Sequence, residues 1–326
     1  MHHDTTPRTL LIDTDTASDD AVALIMALRS PTVQVVAITI VAGNVSVEQG
    51  ARNALFTAEL CGSMVPVHIG ASKPLLRELE TAEWFHGLDG LSDHGYAPAH
   101  RTAETTHAVG AILAASHSHA GLEVITLGPL TNLAMALLRD PSLATRISRC
   151  VIMGGNPCCE GNVTPAAEFN IWVDPEAARI VFASGLPIQM IGWQLSRDEA
   201  VLDAKDIARV LALGTPLAEF AIRCNSTAAS AFETQTGEQG ISLPDPIAMA
   251  VLLEPALSLE ASSHHVQIEV VSSLTRGMTV VDRLNVTSDQ RNASVWASNN
   301  QAASKVEICW KLDVAGWKAL LERSLQ

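Results

Sequence analysis

The chain has 326 residues, 48% of them hydrophobic and 17% charged, which is enough apolar material for a large buried core. A formal net charge of −14, with no basic cluster to offset it, excludes a nucleic acid polymer as partner, since a phosphate backbone would be repelled. Apolar runs are broken by polar residues well short of a bilayer span, which excludes a membrane helix.

Short β-branched runs alternate with helical patterns over the first two thirds, so the fold class is α/β. We expect a mainly parallel, Rossmann-like central sheet flanked by helices. Strands are predicted at Thr9–Ile12, Val33–Val41, Val65–Ile69, Leu122–Leu127, Cys150–Met153 and Pro187–Ile191. Helices are predicted between them at Ala21–Leu28, Val47–Cys61, Thr105–His119, Leu130–Leu138 and Pro175–Ser184. Asp174-Pro175-Glu176 carries its own start signal, an N-cap followed by proline at the first helical position.

The last third reads as a helical and small β C-terminal elaboration. Helical patterns run through Ala200–Leu213, Pro216–Phe232 and Pro246–Leu253; strand-like runs follow at Val266–Val271, Met278–Val281 and Ser294–Ala297, then a terminal helix from Val314 to Arg323. No Ser/Gly-rich linker divides these parts, so the chain is expected to form a single domain over residues 1–326. The six cysteines (Cys61, Cys150, Cys158, Cys159, Cys224 and Cys309) show neither zinc spacing nor the density of a disulfide scaffold. No secretory leader pattern precedes the first strand, and reduced cysteines fit a cytoplasmic location.

One stretch concentrates the chemistry. The apolar strand Leu10-Leu11-Ile12 runs into Asp13-Thr14-Asp15-Thr16-Ala17-Ser18-Asp19-Asp20, four carboxylates at a single strand-to-helix turn. One such acid is explained by a helix N-terminus that welcomes negative charge. Four repel one another unless a cation sits among them, and a hard divalent ion with oxygen ligands is the economical solution. The carboxyl end of a strand is also where open α/β sheets bind ligands. Two unusually long loops, Lys73–Arg101 and Gly154–Asn170, are the other places to look for function.

Asp13-Thr14-Asp15-Thr16 resembles the opening of haloacid-dehalogenase-type phosphatases, which would make Asp13 a nucleophile beside magnesium. That chemistry has no use for Asp19-Asp20. It would also want a lysine close by, and Lys73 is the only one in the first two hundred residues.

The whole string Asp13-Thr14-Asp15-x-x-x-Asp19-Asp20 resembles the signature of the inosine-uridine-type nucleoside hydrolases, with Thr16-Ala17 where that family usually has Pro-Gly. Further blocks follow in the family's order along nearly the whole chain. They are Val41-Ala42-Gly43-Asn44, His86-Gly87-Leu88-Asp89-Gly90, Leu127-Gly128-Pro129-Leu130-Thr131-Asn132, Met153-Gly154-Gly155, Gly161-Asn162, Glu168-Phe169-Asn170 and Pro244-Asp245-Pro246.

The resemblance implies hydrolysis of the N-glycosidic bond of a ribonucleoside to ribose and free base. Calcium would be held by Asp15, Asp20, Asp245 and the backbone carbonyl of Leu127, with Asp15 also the general base. Asp19, Asn44, Asn162, Glu168 and Asn170 would contact ribose, Met153 would pack on the sugar, Asp13 would stand behind the turn, and His86, accompanied by Asp89, would belong to a flap over the base. A homodimer or homotetramer is implied as well.

At Pro244 one branch of the family has a histidine placed to assist the leaving base and another has tryptophan; proline has no proton to give. Asn225, Thr227 and Phe232 are candidates for base contact instead. Loss of turnover in a protein that still binds nucleoside or sugar is the third reading, after hydrolase and phosphatase.

Overall fold

A computed structural model describes residues 7–291 and 305–326. Its nine strands are β1 (Arg8–Thr14), β2 (Val33–Ile40), β3 (Val67–Ile69), β4 (Leu122–Thr126), β5 (Ile147–Met153), β6 (Ile188–Ile191), β7 (Ser258–Ile268), β8 (Thr279–Val281) and β9 (Lys305–Leu312). They form one sheet in the order β3-β2-β1-β4-β5-β6-β9-β7-β8.

The first six strands pair in parallel and in the doubly wound order, with chain direction reversing across the sheet between β1 and β4. Strands buried on both faces have to be apolar throughout, which is why β1 reads as an unbroken Leu10-Leu11-Ile12. Alternate residues then serve opposite layers. Ile12, Ile38 and Ile125 pack under the helices Ser18–Arg29, Val47–Leu60 and Pro244–Leu253, while Leu11, Val124 and Ile152 pack under Ala108–Ser118, Thr131–Arg139 and Pro175–Phe182.

Local signals act where they were read. Asp174 caps Pro175–Phe182 by accepting from the Ala177 amide at 3.0 Å, with Pro175 at the first turn. Its other oxygen accepts from Thr131 Oγ1 at 2.7 Å and from the Leu75 amide at 2.9 Å, so one carboxylate ties three segments.

The last third differs from expectation in detail. Ala200–Leu213 contains a helix only over Ala204–Leu211, begun by an Asp203 capping box. Pro216–Phe232 is two helices, Pro216–Arg223 and Ser226–Thr236, broken at Cys224-Asn225. Strand β7 starts at Ser258, eight residues before the predicted run, because its first half is polar and exposed and is held by backbone pairing to β9.

No strand was predicted over β9, although Val306 and Ile308 are buried between exposed Lys305 and Glu307, an alternation that marks a half-buried strand. β9 runs parallel to β6 and antiparallel to β7, so the C-terminal strands prolong the central sheet. The predicted strand Ser294–Ala297 lies outside the described residues. Among those residues, no helix is long and apolar enough to cross a membrane.

Candidate active site

The turn after β1 is locked by its own side chains. Asp20 accepts from Thr14 Oγ1 at 2.5 Å and from the Ala17 amide at 2.9 Å, and the Thr16 amide donates to Thr14 Oγ1 at 3.0 Å. The departure from Pro-Gly is therefore accommodated: Thr16 uses an N–H that proline lacks, and Ala17, at φ −103°, needs no glycine.

Asp13 is wholly buried and held by its neighbours. Its Oδ1 accepts from Thr39 Oγ1 at 2.5 Å and Asn132 Nδ2 at 2.9 Å, and burial pushes its carboxyl up to about 7.

Asp15 sits between the ends of β2 and β4. The Asn44 amide donates to its Oδ2 at 2.6 Å, and Gly43 and Gly128 flank the carboxylate so closely that a Cβ on either would lie 2.1 Å from Oδ2 or 2.7 Å from Oδ1. Asp245 enters from the first turn of Pro244–Leu253. Ligand oxygens of Asp19, Asp20 and Asp245 lie within 4.8 Å of one another, with Asp15 close enough to interact with Asp20.

All four carboxyls are buried, and all four are raised in pKa. Desolvation is the largest cause for each, and repulsion from acidic neighbours adds to it for Asp15, Asp19 and Asp245. Among the described residues no Lys or Arg pairs with any of them, and Asp15 Oδ1 and Asp19 Oδ1 have no hydrogen-bond partner. Buried carboxylates without a partner cation must either hold extra protons or share a metal ion, and an all-oxygen donor set suits a hard divalent one. The residues present fit such an ion.

Above the cluster opens a cavity of about 720 Å3, counted with its mouth. It gathers Asp19, Asn44, His86, Leu127, Met153, Asn162, Glu168, Asn170 and Asp245 from segments far apart in sequence. Asp15 and Asp20 lie beneath it. Asn170 spans the floor, its Nδ2 donating to the Leu127 carbonyl at 2.8 Å. Glu168 caps the helix Phe169–Val173 and also accepts from the Gly155 amide at 2.8 Å; burial nonetheless keeps its pKa above the ordinary range.

The far wall is apolar, with Trp84, Phe85, Val163, Ala228, Phe232 and Pro244. Asn225 and Phe232 line it as expected. Thr227 does not; its amide donates to Ser92 Oγ. Asp89 also lies away from the cavity, accepting from the Leu91 and Asp93 amides to shape the flap.

Trp193, Gln235 and Ser242 line the cavity without having been predicted. Only Trp193 carried a usable signal, since it stands just beyond the carboxyl end of β6. Ser18 was also missed: its Oγ lies 2.8 Å from His86 Nδ1. Burial pushes His86 down to about 3.

Oxygen donors at the carboxyl ends of parallel strands, beneath a cavity polar on its floor and apolar on its far wall, define an α/β enzyme whose acidic cluster could hold a cation. Residues 10–316 match the family described as inosine-uridine preferring nucleoside hydrolase, and the chain belongs to that family. It is a glycosidase acting on N-glycosyl compounds.

The chain is 39% identical to the pyrimidine-specific ribonucleoside hydrolase RihA of Shewanella woodyi over 98% of both chains. To the RihA of Salmonella typhimurium it is 40% identical, over 88% of this chain and 92% of that one. Among solved structures, a plant nucleoside hydrolase superposes with a TM-score of 0.90 at 29% identity, covering 98% of this chain and 99% of its own. The purine-preferring ribonucleoside hydrolase of Gardnerella vaginalis superposes at 0.86 with 30% identity, covering 98% of each.

Proposed function

We propose that this protein hydrolyses the N-glycosidic bond of ribonucleosides, releasing ribose and free nucleobase, with calcium as its metal and Asp15 as general base. The observation that carries the reading is the buried acidic cluster without a partner cation, placed directly below a cavity with polar and apolar walls. Asp15, Asp20, Asp245 and the Leu127 carbonyl would hold the ion, with Asp19 beside them. When bound, the ion offsets their charge and lowers the pKa of a water.

Asp15 would accept the proton of the attacking water through Oδ1, its oxygen without a protein partner, while the Asn44 amide holds Oδ2 in place. Asp19, Asn44, Asn162, Glu168 and Asn170 hold the ribose hydroxyls, because amides and carboxylates together match a polyol that both donates and accepts; Met153 packs on the ring. The bond from C1′ to the base breaks with its electron pair going to the base, against the apolar wall beneath the flap. An asparagine floor tuned to a 2′-hydroxyl leaves buried polar groups unpaired when a deoxyribonucleoside binds, so ribose is favoured.

Pyrimidine ribonucleosides come first as substrates, since relatives at 39% and 40% identity carry that specificity in their names. A phosphatase reading has no support in the placement of Asp13, which is engaged by Thr39 and Asn132 outside the cavity. The reading carries with it one domain over residues 1–326, a cytoplasmic homodimer or homotetramer and a role in nucleoside salvage.

Chromatography of uridine, cytidine, inosine, adenosine and guanosine after incubation with calcium tests it. Free base that disappears with a chelator is the expected result. Binding without any base release would instead identify a silent nucleoside-binding protein.

A further inference from the structure

The cavity has lost one obvious source of help for a departing base, since Pro244 at the start of its helix carries no donor. Three other polar side chains lining the cavity have committed donors. Asn225 spends its Nδ2 on the Ala221 and Ser18 carbonyls at 2.9 and 3.4 Å, Ser242 donates to the Ser196 carbonyl at 2.9 Å, and the Gln235 amide nitrogen bonds the Asn162 carbonyl. His86 is different. It lines the cavity and is almost wholly buried, and its Nε2 has no hydrogen-bond partner among the described residues.

Which nitrogen of His86 carries the proton is decided by Ser18. The Ser18 hydroxyl is buried, and His86 Nδ1, at 2.8 Å, is its one side-chain partner among the described residues. If Nδ1 bore the proton, it would donate to Ser18 Oγ and leave the serine hydrogen buried without an acceptor, which is the costlier arrangement. Asp19 Oδ1, 3.9 Å from Nδ1, is too far away to compete for that proton. With the serine donating, Nδ1 is the acceptor and the hydrogen sits on Nε2, on the side of the ring away from Ser18, in a residue that lines the cavity.

We infer that Ser18 is a positioning residue that holds His86 in its Nε2–H tautomer, so that His86 hydrogen-bonds the nucleobase as it departs. This rests on the ribonucleoside hydrolysis proposed above and adds how the leaving group is handled where Pro244 is not able to do so. As the C1′–N bond breaks, its electron pair settles on the base, and the Nε2–H donates to the negative charge developing there. The base later takes its proton from solvent, matching the proton that Asp15 removes from water and returns to solvent.

The test compares two leaving groups in the full-length protein with calcium: uridine, and 4-nitrophenyl β-ribofuranoside, whose nitrophenolate departs as a stable anion and needs no donor. For Ser18→Ala, kcat on uridine is expected to fall by roughly 10- to 100-fold with KM little changed, while kcat on the nitrophenyl riboside moves by less than about threefold. Ser18→Thr keeps the hydroxyl and restores uridine turnover. Long-range 1H–15N spectra of histidine-labelled protein, assigned by difference with His86→Gln, give the Nε2–H signature for the wild type and lose it in Ser18→Ala.

Equal losses on both substrates, or an Nδ1–H tautomer in the wild type, overturn the inference. Failure of the wild type to cleave either riboside overturns the hydrolase reading instead.

Discussion

Asp15 has almost no freedom to move, and its position depends on what its neighbours lack. Gly43 and Gly128 leave their Cβ positions empty on either side of the carboxylate. Gly43→Ala would place a methyl 2.1 Å from Oδ2 and push the acid out of line. Because a misplacement of about 1 Å at a reacting group costs on the order of 100-fold, kcat/KM should drop by at least that factor, measured beside an unchanged circular dichroism spectrum. Asp15→Asn keeps the shape and removes the base; turnover should become undetectable while the melting curve stays cooperative. Retained activity would take Asp15 out of the role. The aspartates were legible in sequence because four acids crowd into one turn. Ser18 was not, since a serine on a helix start is ordinary and its meaning lies in His86, 68 residues away.

At the level of elements, the flap is docked by hydrogen bonds to two other segments. Its short helix Glu83–His86 is bound to the β2 end by the Ala82 amide and the Asn44 carbonyl, 2.9 Å apart. Ser92 Oγ donates to the Cys224 carbonyl at 2.7 Å and accepts from the Thr227 amide at 3.0 Å, fastening the flap across the break between the two helices. That break was invisible in sequence, because Asn225 falls in an unbroken helical pattern and only its buried amide bonds explain the interruption. Ser92→Ala removes both bonds, each contributing about 1 kcal/mol. A rise of roughly 5- to 10-fold in KM with little change in kcat is expected, together with faster proteolysis between residues 84 and 96.

For the molecule as a whole, the buried acids make stability depend on pH in an unusual direction. Asp13 and Asp19 are raised to about 7 in the folded chain, whereas unfolded aspartates titrate near about 4. Between those values the folded state holds more protons than the unfolded state, so their contribution is complete below the unfolded range and is lost as pH rises through about 7. Chelator-treated protein should therefore melt at a higher temperature at pH 5.5 than at pH 8. Added calcium should raise the melting temperature more at pH 8 than at pH 5.5, because it competes with fewer protons there. A calcium effect that is flat with pH would count against a site built from these carboxylates.

The order of the sheet has a consequence for how the chain is made. Strands β1 to β6 emerge from the ribosome in sequence and can zip together as they come, each beside one already present. β7 and β8 emerge next and can pair with each other, but they have no link to β6, because the strand that joins them to it is β9, which follows both. Asp245 is synthesised before that seam closes. A nascent chain thus carries its whole acidic cluster while the edge of β6 is still open, and that interval is when it most needs protection from pairing with another chain.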